Sequence, residues 1–427
     1  MTNISNDTLI IGLTGSFGSG VSEIANLLSD EGFRVLKVSD FLKAEATKLG
    51  TPISRHSLQL IGNNLRKNDI EKDGGDGGYL IRKAIDVLQK EDNSKYKGIA
   101  LESIKNPGEI NELRKYPNAF LVAIDAPESI RWGRLKHLPE YKSGQQAFTG
   151  DDQRDKKEDL YCTQNKTGNK LLFGQEVTIC VDLADVLINN IGKITDKEEF
   201  KRNILNILGP IINGPGTREP TQHELFMSQA YNTSLMSPCL KRQVGAIIVK
   251  IDKGSKRAYL ISSGYNKAPR GNIDCIKGSC RRDERKRKIS EILQYCPKCG
   301  HKFGSAYICP NQECQYSKKE HKIKDDITLS RGLDICPAVH AEEQSILQAA
   351  YLGSASLEDA ILYSTTFPCL MCAKMIIQVG IKKIFFIDPY PDKYSRDTLI
   401  NAEIELEKFE GIKAQAYYKS FKRNIDN

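Results

Sequence analysis

Two rhythms of apolar and polar positions run along the chain, and together they predict an α/β protein. Short apolar runs read as strands: TLIIGLTG (8–15), FRVLKV (33–38), KGIALES (97–103) and AFLVAIDA (119–126). Between them, Ser22–Ser29 and Gly78–Lys90 space their apolar residues as a helix does. Strand–helix alternation of this kind implies a parallel sheet covered by helices. QEVTICVDLADVLINNIG (175–192) and a helix to about Leu208 close this first domain, 1–208. GPIINGPGTREP, residues 209–220, concentrates Gly and Pro and reads as a linker. Residues 221–427 form the second domain. In it His223–Ser234 reads as a helix, VGAIIVK and YLISSGYN as paired strands, and His340–Ala350 as a helix. ILYST, CAKMIIQVG and KKIFFID follow as strand, helix and strand, and a polar, cysteine-bearing stretch, 271–333, interrupts the domain as an insertion.

Composition narrows the setting. A chain of 427 residues with 40% hydrophobic content can bury two or three cores. It holds no apolar run of roughly 18 residues, so a membrane span is not expected. The start, MTNISNDTLIIGLTGSFGSG, lacks the basic head and small-residue cleavage site of a secretion signal, and a cytoplasmic location is expected. The net charge of +8 is modest, and Arg281–Lys288 (RRDERKRK) supplies half of it. That cluster reads first as a solvated loop and second as a phosphate-binding surface. Most of the 12 cysteines fall between Cys275 and Cys372, several in close pairs, which in a cytosolic chain points to metal rather than disulfides.

The strongest chemistry lies in Pro368-Cys369-Leu370-Met371-Cys372 and, far upstream, His340-Ala341-Glu342. Pro suits the first position of a helix, and cysteines three apart then share a face near the positive end of its dipole. That setting favours thiolates, the form that binds zinc. His340 adds a neutral nitrogen, and three protein ligands leave the fourth tetrahedral position open, as a catalytic zinc requires. Zinc lowers the pKa of water from about 15.7 to about 7. Glu342 is then free to act as general acid and base. H-x-E…P-C-x-x-C is the signature of zinc deaminases acting on C4 of cytosine or C6 of adenine. A closed structural zinc site is the bland alternative, and it has no use for Glu342.

Three further features bear on function. Cys296, Cys299, Cys309 and Cys314 form two close pairs suited to one structural zinc, a ribbon. Loose thiols, with Cys275 and Cys280 exchanging into the site, are the alternative. Gly15, Ser16, Gly18, Ser19, Gly20, Val21 and Ser22 match a phosphate-binding loop, G-x-x-x-x-G-K-[ST], except that Val21 replaces the lysine. Backbone N–H groups can still hold a nucleotide phosphate, but the cation that serves phosphoryl transfer is gone. Asp40 and Glu102 end strands, where such folds place metal or substrate groups.

FMSQAYNTSLMSPCLKRQVGAIIV, SGYNKAP, HAEEQSIL and YSTTFPCLMCAKMIIQVGIKKIFFI are similar, in order, to blocks of the deoxycytidylate deaminases. The resemblance implies a cytidine deaminase-like α/β/α domain. It also implies Asn266 as a contact to sugar or base, with Arg242 and Arg270 as candidate phosphate contacts. Cys336 reads as a small buried residue. The N-terminal half resembles small nucleotide kinases, with GDDQRDKKED in the place of a lid. LQLIGNNLRK, SIKNPGEINELRK and AFLVAIDAPESIRWGRL extend a resemblance to anti-phage dCTP deaminases over nearly the whole chain. That resemblance implies conversion of dCTP and dCMP to their uracil forms as antiviral defence, under control of the N-terminal domain. One catalytic and one structural zinc are the expected cofactors, with a nucleotide at the degenerate loop. Expected partners are a deoxycytidine nucleotide, further copies of the chain in a homo-oligomer, and a regulatory RNA or protein. The competing readings are an editing deaminase that tracks nucleic acid with RRDERKRK, a non-catalytic nucleotide-binding regulator, and a working kinase beside the deaminase. The basic cluster has no aromatics for base stacking, which weighs against editing.

Overall fold

The computed structural model describes residues 7–72, 74–156, 162–164, 170–192, 197–292, 294–296, 298–299, 301–302, 311, 314, 336–353, 356–388 and 393–422. Its strands are β1 (Ile10–Thr14), β2 (Phe33–Lys37), β3 (Gly98–Ile104), β4 (Ala119–Asp125), β5 (Cys162–Gln164), β6 (Lys170–Leu172) and β7 (Val186–Asn189). There follow β8 (Gly245–Ile251), β9 (Ala258–Tyr265), β10 (Ile361–Thr366), β11 (Lys383–Asp388), β12 (Glu405–Lys408) and β13 (Gly411–Ile412). Two main sheets result, ordered β13-β7-β4-β1-β3-β2 and β12-β11-β10-β8-β9, with β5 and β6 as a separate ribbon.

The first sheet is parallel except for its edge strand β13, which runs antiparallel to β7. Parallel strands buried on both faces carry apolar side chains at successive positions, which is why IIGLT reads as a continuous run. Ile11 and Leu13 face the helices Val21–Asp30 and Lys197–Ile212, whereas Ile10 faces the layer containing Tyr79–Leu88. The second sheet is mixed: β8 pairs antiparallel with β9 and β10, and β10 pairs parallel with β11. These are the expected architectures, a parallel α/β sheet and a deaminase-like α/β domain.

The division of the chain differs from the expected 1–208, 209–220 and 221–427. One compact unit comprises residues 1–228 and 408–427, and the other comprises 229–407. The C-terminal segment leaves the deaminase sheet after β12 and returns to the first sheet as β13 and the helix Ala414–Phe421. Ile412 and Ala416 are buried in the same core as β1 and β4. Apolar residues so near the end of the chain find their burial there, and two hydrogen bonds from Lys413 Nζ to the carbonyls of Val181 and Asp182 pin the segment. Burial lowers the pKa of this lysine to about 8.

Residues 209–220 are not a loose linker. The helix begun at Lys197 continues to Ile212 through Pro210, because Ile207, Leu208 and Ile211 are all in the core. Proline has no N–H, so the carbonyl of Asn206, four residues back, loses its helical partner. Arg218 Nε donates to that carbonyl at 2.7 Å. The same guanidinium forks onto Glu224, with both N···O distances 2.7 Å. Glu224, 1% exposed, also accepts from the backbone N–H groups of Thr221 and Ile412. One carboxylate therefore ties the end of the linker, the helix Gln222–Ser234 and β13 together. Removing one partner of such a buried pair leaves an uncompensated charge. Glu224→Ala is expected to destabilise the N-terminal unit by about 3–5 kcal/mol in denaturant unfolding of the full chain; a loss below about 1 kcal/mol would show that the knot is dispensable.

Candidate active site and metal centres

His340 stands immediately before the helix Ala341–Tyr351, and its backbone N–H donates to Glu343 Oε2 at 3.3 Å. Cys369 is the N-cap of the helix Leu370–Gln378, and Cys372 lies in that helix's first turn. Pro368 thus precedes the cap instead of occupying the first helical position. The carbonyl of Pro368 accepts from Ser395 Oγ at 2.7 Å, which fixes the approach to the cap. Close packing brings the two helix starts together. Gly264 on β9 lies so near the backbone of Ala341 and Ser345 that a Cβ there would collide with it.

The resulting ligand atoms form a tight triangle. His340 Nδ1 lies 3.3 Å from Cys369 Sγ and 3.4 Å from Cys372 Sγ, and the sulfurs are 3.7 Å apart. Tetrahedral zinc, with bonds of about 2.3 Å to sulfur and 2.0–2.1 Å to nitrogen, needs edges of about 3.8 Å between sulfurs and about 3.6 Å between nitrogen and sulfur. The donor set fits that ion in chemistry and in spacing. Neither cysteine is in a disulfide. Hydrogen bonding with Cys372, with His340 alongside, brings the pKa of Cys369 down to about 4, and hydrogen bonding with Cys369 pushes that of His340 up to about 9. The pocket therefore already favours a thiolate, the form a metal binds.

Glu342 is 4% exposed beside these three. Its Oε1 accepts from Ser364 Oγ of β10 at 3.0 Å, and its Oε2 lies 3.7 Å from Cys372 Sγ. Burial pushes its pKa above the usual carboxylate value.

His340, Glu342 and Cys369 line a cavity of about 280 Å³. Asn266 lines it too, with its amide bracing the wall: Oδ1 accepts from the Val244 N–H at 2.8 Å and Nδ2 donates to the Arg242 carbonyl at 2.9 Å. Arg242 reaches the rim and pairs with Asp388. Arg270 does not line this cavity; it is exposed, with its guanidinium 5.2 Å from the Tyr351 ring centre. Cys336 is half-buried and lines the cavity, as does Cys239. Sequence reasoning missed Lys241 and Arg282, which also line it. Arg282 was hidden in RRDERKRK, where the helix Arg281–Ile292 replaces the expected loop. The signal was available, because Asp283 and Glu284 early in the cluster suit the first turn of a helix.

The second cysteine cluster gathers Cys296, Cys299 and Cys314, with the sulfurs of Cys296 and Cys314 3.6 Å apart. Cys309, the fourth expected ligand, lies outside the described residues, and Cys275 and Cys280 are not in the cluster. In the first unit, Gly15, Ser16, Gly18, Gly20, Val21 and Ser22 line a cavity of about 380 Å³, whereas Ser19 is buried beneath it. Gly18 and Gly20 have φ of +77° and +107°, conformations that favour glycine. Ser22 Oγ donates to Glu102 Oε1 at 2.5 Å. Asp40 does not end a strand; it is exposed in the helix Val38–Lys48.

The family profile described as the cytidine and deoxycytidylate deaminase zinc-binding region matches residues 220–388, which contain this centre. The deoxycytidylate deaminase of Enterobacteria phage T4 is 35% identical over 182 residues, 42% of this chain and 84% of the phage protein. The chain belongs to the deoxycytidylate deaminase family. The Schizosaccharomyces pombe deoxycytidylate deaminase is 28% identical over 352 residues, 78% of this chain and 86% of its own. A UPF0200 protein of Pyrococcus abyssi is 30% identical over 207 residues, 48% of this chain and 97% of that protein, and the N-terminal region resembles such proteins. This deaminase is accordingly a zinc-binding hydrolase of C–N bonds. No helix among its described residues is long and apolar enough to cross a membrane.

Elemental analysis of the purified chain is expected to find two zinc ions. Cys372→Ser should lose one together with deaminase activity, and Cys299→Ser should lose the other; a single zinc in the unaltered chain would remove the ribbon assignment.

Proposed function

We propose that this deaminase hydrolyses the exocyclic amine of deoxycytidine nucleotides, dCMP and dCTP, to give dUMP, dUTP and ammonia. The observation that carries the reading is the buried Glu342 carboxylate set beside three zinc-type ligand atoms on a cavity rimmed by cations. Zinc, when held by His340, Cys369 and Cys372, supplies the Lewis acid that makes water nucleophilic at neutral pH. Glu342 accepts a proton from the attacking water, delivers it to ring N3, and passes a second proton to the amino group that leaves C4 as ammonia. Ser364 holds Oε1 and so orients the carboxylate, leaving Oε2 for the proton. Asn266 keeps the wall beside Arg242 and Val244 in shape and offers its remaining amide hydrogen to the sugar or base. Arg242 stands on the cavity as a secondary phosphate contact already paired with Asp388, whereas the placement of Arg270 outside the cavity argues against that role for it.

The N-terminal unit is read as a nucleotide-holding regulator that does not transfer phosphate. Its loop presents glycine backbone to the cavity, and Arg134 lines the same cavity while donating to the Gly18 and Ser19 carbonyls. No lysine takes the place of Val21, so charge transferring between phosphates is left without its usual partner. The fusion of this unit to a deaminase, together with the anti-phage resemblance, supports a cytoplasmic role in draining dCTP during infection.

Two measurements test this reading. Ammonia release should be seen with dCMP or dCTP and not with a cytosine-containing oligonucleotide. Glu342→Gln should keep its zinc and lose about 10²–10⁴-fold in turnover. Turnover of the oligonucleotide alone, or full activity in the variant, overturns the assignment. For the first unit, ATP is expected to bind without hydrolysis above background, and robust ATP hydrolysis would restore the kinase reading.

A further inference from the structure

The cations around the deaminase cavity are not equivalent. Lys241 Nζ is 2.5 Å from Asp283 Oδ1, and Arg242 is paired with Asp388. Arg282, half-buried on the same wall, has no hydrogen bond, ion pair or ring contact among the described residues. A guanidinium drawn partly out of water with no partner among the described residues is costly to hold, and such a group is matched when an anion arrives. Buried Glu342, though on the same cavity, makes no ion pair with Arg282.

The backbone around Arg282 is built to stay in place. The N–H groups of Asp283 and Glu284 donate to the carbonyl of buried Cys280 at 2.8 and 3.0 Å, which starts the helix Arg281–Ile292. The solvent-exposed ion pair of Asp283 with Lys241 links this first turn to a second residue of the cavity lining. That first turn is the positive end of a 12-residue helix, so the field there also favours an anion.

We propose that Arg282 binds the phosphate of the deoxycytidine nucleotide and makes the site selective for nucleotides over nucleosides. This rests on the substrate reading above. It assigns to the basic insertion helix a part in recognising free nucleotides, in place of a solvated or nucleic-acid-tracking surface. Arg281, exposed one position earlier, takes no part.

Binding without turnover separates this inference from the substrate reading. In zinc-loaded full-length chain carrying Glu342→Gln, calorimetric titration with dCMP, dCTP and deoxycytidine is compared with and without Arg282→Ala. The expected result is a 10- to 100-fold weaker Kd for both nucleotides, the scale of one lost charge-assisted hydrogen bond, and no change for deoxycytidine. Arg281→Ala should leave all three unchanged, and Arg282→Lys should recover part of the loss. In the active chain, Arg282→Ala should raise KM for the nucleotide with little change in kcat, and should weaken competitive inhibition by inorganic phosphate. Unchanged nucleotide affinity overturns the proposal, as does an equal loss for deoxycytidine or an equal effect of Arg281→Ala. Failure of the unaltered chain to deaminate any nucleotide refutes the substrate reading instead, and leaves the binding comparison to be scored on its own.

Discussion

Three donor atoms held 3.3, 3.4 and 3.7 Å apart are the constraint on which the deaminase unit depends. They sit at the starts of two helices far apart in sequence, and the strand pairings between them set the spacing. β10 pairs parallel with β11 and antiparallel with β8, so the loop after β10 delivers Cys369. Gly264 on β9 lets the helix that follows His340 approach the sheet at backbone distance. A side chain at that glycine would collide with the backbone of Ala341 and Ser345, in the helix that carries Glu342 and follows His340.

The same packing sets the character of the carboxylate. Glu342 is close enough to the ligands to serve the chemistry they support, yet it is hydrogen-bonded to Ser364 and removed from water. Burial raises its pKa, while the cations of Lys241, Arg242 and Arg282 stand at the cavity wall. A buried carboxylate and positive charge along the wall give the two parts of the proposed substrate, its ring and its phosphate, different surroundings.

The two units are nested in sequence. The deaminase unit, 229–407, is bracketed by segments of the first unit, because the chain's last strand completes the parallel sheet. Arg218 and Glu224 make that closure specific. The arginine satisfies the carbonyl that Pro210 leaves without a partner, and the glutamate it grips accepts the Ile412 N–H of β13. A Pro–Gly-rich stretch that looks like a flexible joint is in this way built into the structure at both ends.

Much of this was legible in the order of residues. Short apolar runs marked the strands, and the pattern of His340, Cys369 and Cys372 specified a zinc-type ligand set, because ligand type and local helix geometry are short-range properties. The missing lysine at Val21 was equally plain. Tertiary structure alone decided the rest. No local pattern says that Ile412 belongs to a sheet begun at Ile10, since a two-residue edge strand is selected by the core it covers. Nor does RRDERKRK reveal which of its charges meets water and which meets a cavity. That follows from the helix's rotation and from the partners that Lys241 and Arg242 have already found, and both are matters of packing across long separations in the chain.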